Sequence, residues 1–150
     1  MVEFARESCS IMQEIIPLAS AHAKEMDYPV FDQAPLDLDE DAYRAIEAAG
    51  LLRVFTARQD NILVGYAIFI VAMALEHRTV KQGLEAGFYL APEVRLGRTA
   101  VRFLSYCDSE MAEEKVAMVL YHSPVAHPKF GAILARRGYV KVDEIYARRL

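Results

Sequence analysis

Two arginines and a glycine stand where an apolar run turns into a helical pattern, in "FYLAPEVRLGRTAVRFL", residues 88–104. Arg95, Gly97 and Arg98 offer the chemistry of anion binding. The first turn of a helix carries unpaired N–H groups and a partial positive charge. A residue without a side chain lets a ligand approach that backbone, and guanidinium groups add charge-assisted hydrogen bonds. A strand, a Gly/Arg turn and a helix in that order predict a pyrophosphate cradle. The same glycine also suits a turn whose purpose is only geometric.

The other reactive residue types point elsewhere. Cys9 and Cys107 form neither a disulfide framework nor a metal-ligand pattern, and both fall in stretches of helical periodicity, so they read as buried thiols in a reducing compartment. His22, His77, His122 and His127 show no metal-binding spacing. The net charge of −4 gives no electrostatic support to a nucleic-acid role. The N-terminal "MVEFARESCSIMQE" has early acids and no long apolar core, unlike a signal peptide. The most apolar run, "ILVGYAIFIVAMAL", has 14 residues where a membrane helix needs about 20. These features predict a soluble cytoplasmic protein with no membrane partner and no bound metal.

A chain of 150 residues, more than half of them apolar, is the size of one domain with a real core. Residues 2–6 read as a short edge strand. From Ser8 to Met26, Ile11, Ile15, Leu18 and His22 recur at helical spacing, with Pro17 predicting a kink or two shorter helices. Residues 27–36, with two prolines, read as a loop. A helix follows, capped by Asp37 or Asp39 and stopped by Gly50. Three strands come next. "LLRVFTAR" (51–58) and "ILVGYAIFIVAMA" (62–74) are joined by a short turn and therefore antiparallel. The second is apolar on both faces, as in a central strand covered on both sides. In "GLEAGFYLA" (83–91), alternation puts Leu84, Ala86, Phe88 and Leu90 on one face and Glu85, Gly87 and Tyr89 on the other. A helix bearing Ala100, Phe103, Leu104, Cys107 and Met111, a buried strand "VAMVLYH" (116–122), a helix at 128–138 and a last strand at 139–150 complete the chain. The fold class is α/β: a single domain over residues 1–150, with a mixed sheet flanked by helices.

That order of elements resembles the GNAT superfamily of acetyl-coenzyme A-dependent N-acetyltransferases, best from Leu51 onward. In that family a Q/R-x-x-G-x-G/A turn binds the coenzyme pyrophosphate. Here it aligns as Arg95-Leu96-Gly97-Arg98-Thr99-Ala100, with Arg98 in place of the central glycine. A narrower resemblance, to members encoded by tailed phages and prophages, rests on "GYAIFI", "LEHRTVK", "PEVRLGR", "LYH" and "RRGYVKVDEIYARRL".

The resemblance implies a mostly antiparallel sheet and transfer of an acetyl group from acetyl-CoA to an amine on a small molecule or a protein. A homodimer would be in keeping, as would the host cytoplasm for a phage-encoded member. It implies that the backbone of Phe88, Tyr89 and Leu90 receives the coenzyme arm. Glu85, on a strand where many members carry an acid, becomes the general base, acting through water. The tyrosine that often protonates the departing thiolate aligns with Leu134, so Tyr121, His122 and Tyr139 stand as substitutes, with solvent as the alternative. His22 and Tyr43 fall on the helices that form the acceptor side in the family, where either could recognise substrate, and helix packing is the plainer explanation of both. The altered turn and the missing tyrosine leave a second reading: a GNAT-shaped binding or virion-associated protein without catalysis.

Overall fold

The computed structural model describes residues 1–26 and 35–150. Most of the loop expected at 27–36 therefore lies outside the described residues. Five strands form one sheet in the order β1-β2-β3-β4-β5: β1 (Val2–Glu7), β2 (Leu52–Gln59), β3 (Ile62–Met73), β4 (Lys81–Leu90) and β5 (Met118–Leu120). The first four pair antiparallel, and β5 joins β4 in parallel. Among the described residues four α-helices flank them: α1 (Met12–Met26), α2 (Glu40–Ala48), α3 (Thr99–Glu113) and α4 (Pro128–Arg136).

Local sequence accounts for most of these elements. The β2–β3 turn is built on Asp60 and Asn61, both at positive φ (51° and 65°), the conformation that two-residue hairpin turns demand and Asp and Asn tolerate. Asp39, rather than Asp37, caps α2: its side chain accepts the Ala42 N–H at 3.0 Å. Gly50 ends that helix at φ 76°. Pro17 does not divide α1 into two helices; one 15-residue helix contains it and follows a 3-10 turn at Cys9–Ile11. Ile15 and Ala19, on either side of Pro17, are buried in the cluster on the α1–α2 side of the sheet.

The sheet is covered on both faces, as the two-sided apolarity of β3 requires. Phe55, Phe69, Phe103, Cys107 and Met111 fill the α3 side. Met12, Ile15, Val54, Ile68, Tyr66 and Tyr89 fill the α1–α2 side. Each cysteine is a buried free thiol. The Cys9 N–H and Sγ–H both donate to the Glu47 carboxylate, at 2.9 and 3.1 Å. Cys107 is wholly enclosed under α3. At the rim, Glu114 at the end of α3 gathers Arg53 of β2, at 2.6 Å, and Arg6 of β1, at 2.6 Å.

Two departures from the sequence reading matter. Residues 139–150 do not form a strand. Val140, Val142, Ile145 and Tyr146 stand in solvent, and among the described residues no backbone hydrogen bond ties the segment to the body beyond the one Tyr139 N–H donates to Leu134. Asp143 and Glu144 break its alternation, and β5, three residues long against the seven expected, offers a short ladder. Secondly, β4 carries a bulge. Ile68 pairs with Gly87 but Phe69 pairs with Glu85, leaving Ala86 as the extra residue. A bulge reverses the alternation beyond it, so the expected faces are wrong for part of the strand. Glu85 and Phe88 oppose Phe69 and Ala67 and share the α3 face, while Gly87 and Tyr89 lie on the α1 face.

Candidate active site

Strands β4 and β5 stay together only over Gln82–Leu84 and Met118–Leu120. Past that point they part. The bulge at Ala86 bends β4, and Pro124, which has no N–H, follows soon after β5. The gap is the natural place for an extended ligand arm, because the backbone of β4 from Phe88 to Leu90 has no β5 partner there. The side chains of Phe88 and Leu90 are packing groups. Phe88 stacks on Phe103 and Phe130 at 5.2 and 5.3 Å between ring centroids, and Leu90 is buried in the core.

Glu85 stands at the throat of this gap with 5% of its surface exposed. Its Oε2 accepts the backbone N–H of His122 at 3.0 Å and faces the His122 Nδ1 at 3.1 Å. A nearly buried carboxylate requires such partners. The arrangement puts a proton on Nδ1 and leaves Nε2 as the free ring nitrogen. His122 is 41% exposed at its side chain, and its hydrogen bond to the Glu85 carboxylate raises its pKa above the ordinary histidine value. A carboxylate-oriented imidazole opening to solvent can take a proton from a bound ammonium.

Across the gap lies an aromatic wall from α1, β3 and β4. His22 Nδ1 is 2.8 Å from the Tyr66 hydroxyl, and its ring stacks on Tyr89 with centroids 5.0 Å apart. Burial pushes the Tyr66 pKa far up and the His22 pKa down, the latter opposed by the carboxylates of Glu85 and Glu25. Tyr66 therefore keeps its proton and His22 is neutral, the two joined through Nδ1 and the hydroxyl. Tyr43 of α2 is half-buried at the edge of the same cluster, and burial raises its pKa.

The turn after β4 runs through Pro92–Val94 to Gly97, at φ 72°, and into α3. A Cβ on Gly97 would meet nothing within 4 Å, so backbone conformation, not space, calls for glycine there. Arg98 takes the N-cap position and no side chain caps the first turn of α3, leaving its N–H groups to an outside acceptor. Leu96 is exposed, Thr99 and Ala100 open the helix, and the Arg98 guanidinium makes no hydrogen bond among the described residues. These features fit a pyrophosphate. Arg95 is engaged elsewhere: its Nε donates to Leu90 O at 2.7 Å, and its Nη2 reaches both oxygens of Glu25 at 2.9 and 2.8 Å.

The substitutes for the absent acid are divided by the fold. Leu134 is buried. Tyr121 and Tyr139 direct their hydroxyls at opposite oxygens of Asp108 on α3, an arrangement that anchors the chain after α4 rather than facing Glu85. Of the catalytic candidates, Glu85 and His122 come together and Tyr139 does not join them. His77 is exposed in the β3–β4 connection. Glu25, Tyr66 and His127 were not singled out by their sequence positions. The signal for Glu25 was its place one turn after His22; nothing in the sequence marks the hydrogen bond of His127 Nε2 to the Glu25 carbonyl at 2.7 Å.

Comparison with solved structures shows that the chain shares the fold of several N-acetyltransferases. A GCN5-related N-acetyltransferase from Ralstonia eutropha superposes with a TM-score of 0.76 at 14% identity, over 99% of this chain and 98% of that one. A predicted acetyltransferase from Clostridium acetobutylicum, solved with acetyl-CoA, gives 0.73 at 15%, over 99% and 96%. A ribosomal-protein-alanine N-acetyltransferase from Brucella melitensis biovar Abortus gives 0.72 at 18%, over 100% and 99%. No family model and no curated protein matches the chain. Among the described residues no helix is long and apolar enough to cross a membrane.

Proposed function

We propose that this protein is an N-acetyltransferase that moves an acetyl group from acetyl-CoA to an amine. The observation that carries the reading is the β4–β5 gap, with Glu85 and His122 joined at its throat and the uncapped start of α3 beside it. Phe88, Tyr89 and Leu90 offer backbone groups to the coenzyme arm. Leu96 to Ala100 offer N–H groups, and Arg98 a guanidinium, to its pyrophosphate. His122 Nε2 takes a proton from the acceptor ammonium while Glu85 holds the ring and steadies the imidazolium. The freed amine attacks the thioester carbonyl, the C–S bond breaks, the nitrogen gives its second proton to solvent, and the thiolate takes a proton from solvent. His22 and Tyr43 line the acceptor side. The narrower kinship with phage-encoded members rests on the quoted motifs alone.

Coenzyme A is expected to bind the full chain in calorimetry. Arg98→Ala should weaken binding by about 1.5–3 kcal/mol, the worth of one hydrogen bond to a charged group. An unchanged affinity in the folded variant would remove Arg98 from the cradle. A binder without catalysis is the second reading, favoured by the engagement of Arg95 with Glu25 and by Leu134 in the acid position. Coenzyme binding without acetyl transfer to any member of an amine panel, followed by thiol release, would establish that reading instead.

A further inference from the structure

Arg95 heads the sequence motif for phosphate binding, yet its guanidinium is spent on Glu25. The pair is partly open to solvent, with side-chain exposures of 38% and 27%. The Arg95 Nη1 has no partner among the described residues, and the guanidinium carbon sits 5.1 Å from the centre of the Tyr89 ring. Among the described residues Glu25 has one other side-chain partner, the Tyr89 hydroxyl at 3.1 Å. The end of α1 is held independently by the hydrogen bond from His127 to the Glu25 carbonyl. Arg95 can therefore leave without loosening the helix that carries Glu25.

We propose that Arg95 is shared between two anions, Glu25 in the free protein and the coenzyme pyrophosphate in the complex, so that coenzyme binding releases the Glu25 carboxylate to receive a cationic group of the acceptor. The inference rests on the reading that the pyrophosphate sits at Leu96–Ala100. Arg95 is the residue next to that segment, and its side chain turns toward it by giving up the bonds to Glu25 and to Leu90 O. A partly exposed ion pair contributes little, whereas a pyrophosphate presents several charged oxygens in a geometry that a guanidinium matches well. Once Arg95 turns away, Glu25 keeps a neutral donor in Tyr89 and lacks a cation. His22, one turn earlier on α1, stacks on the same Tyr89 ring, so the released carboxylate belongs to the wall assigned to the acceptor. An acceptor carrying a second ammonium group, beyond the one acetylated, supplies the missing cation. Coenzyme first and acceptor second is the resulting order of binding.

The test is a sign, read by calorimetry on the full chain. Glu25→Gln preserves the shape and the Tyr89 hydrogen bond but removes the charge that competes for Arg95. It should tighten coenzyme A binding by about two- to fivefold, the worth of a partly exposed pair. Arg95→Ala should weaken it at least tenfold, the worth of a hydrogen bond to a charged group. Glu25→Ala should match Glu25→Gln in direction. Spermidine, as a probe with several ammonium groups, should bind the wild-type chain more tightly when coenzyme A is saturating, and Glu25→Gln should abolish that gain. Coenzyme affinity that is unchanged or weaker in Glu25→Gln would show a fixed tie and overturn the sharing. Spermidine affinity indifferent to coenzyme A would overturn the release. Failure of the wild-type chain to bind coenzyme A overturns the cofactor reading itself, an outcome distinct from the other two.

Discussion

Glu85→Gln is expected to lower acetyl transfer by about 10²–10⁴-fold, the range for loss of positioned acid–base chemistry, or about 3–5 kcal/mol of barrier. Coenzyme affinity should hardly move, since the proton transferred belongs to the acceptor. The isosteric amide keeps an oxygen for the His122 N–H but cannot stabilise a charged imidazole. His122→Asn should lose activity on the same scale, and the double variant should be little worse than either single one, because groups that act as a unit are not additive. The pH profile separates this from a merely structural role. The Glu85 carboxylate raises the His122 pKa, so the limb on which activity rises with pH should lie above the ordinary histidine value near 6.5. In Glu85→Gln the residual activity should titrate closer to it. Stability follows the linked sign: a raised folded-state pKa gives a contribution fully present below about 6.5 and lost as pH rises through the folded value. Full turnover of Glu85→Gln at neutral pH would exclude the pair from the mechanism.

Phe103→Ala is expected to cost about 3–5 kcal/mol of folding stability, the range for deleting a fully buried aromatic ring. Phe103 has no exposed surface. It stacks on Phe4 of β1, with ring centroids 5.1 Å apart, and on Phe88 of β4, at 5.2 Å. One side chain thus joins the edge of the sheet, the helix behind the phosphate turn and the strand that would receive the coenzyme arm. Urea unfolding should show a lower midpoint with an unchanged slope. A loss below about 1 kcal/mol would mean that the surrounding rings collapse into the space, contrary to the close packing of such interiors.

The helices and the central strands were legible because each is specified locally: by Asp39 and Gly50 at the ends of α2, by Asp60 and Asn61 in the hairpin, and by two-sided apolarity in β3. Glu85 was legible as an acid on β4. Its partner reads from the sequence only as a substitute acid, because His122 reaches Glu85 from just past β5, 37 positions away, and no local pattern encodes that meeting. The bulge at Ala86 was invisible for a related reason. Alternation assumes an unbroken ladder, and the extra residue is fixed by pairing with β3, not by its own type. The final segment misled in the opposite direction. Its apolar residues read as a strand, but a strand needs a neighbour with free backbone groups along its length, and the three residues of β5 supply few.

The two buried thiols make the molecule a clock for its own opening. Burial pushes the Cys107 thiol well above its ordinary pKa, and burial together with the Glu47 carboxylate raises that of Cys9. In the closed state neither offers an alkylating reagent a thiolate or a path of approach. Each can be labelled only in molecules that have transiently come apart at that place, so labelling rates measure local opening equilibria. Cys107 times the lifting of α3 from the sheet, and Cys9 times the parting of the β1–α1 corner from α2. With one cysteine replaced by serine at a time, the two rates should respond differently to coenzyme A. A ligand seated at the start of α3 should slow the Cys107 clock more than that of Cys9, which runs at the other end of the fold.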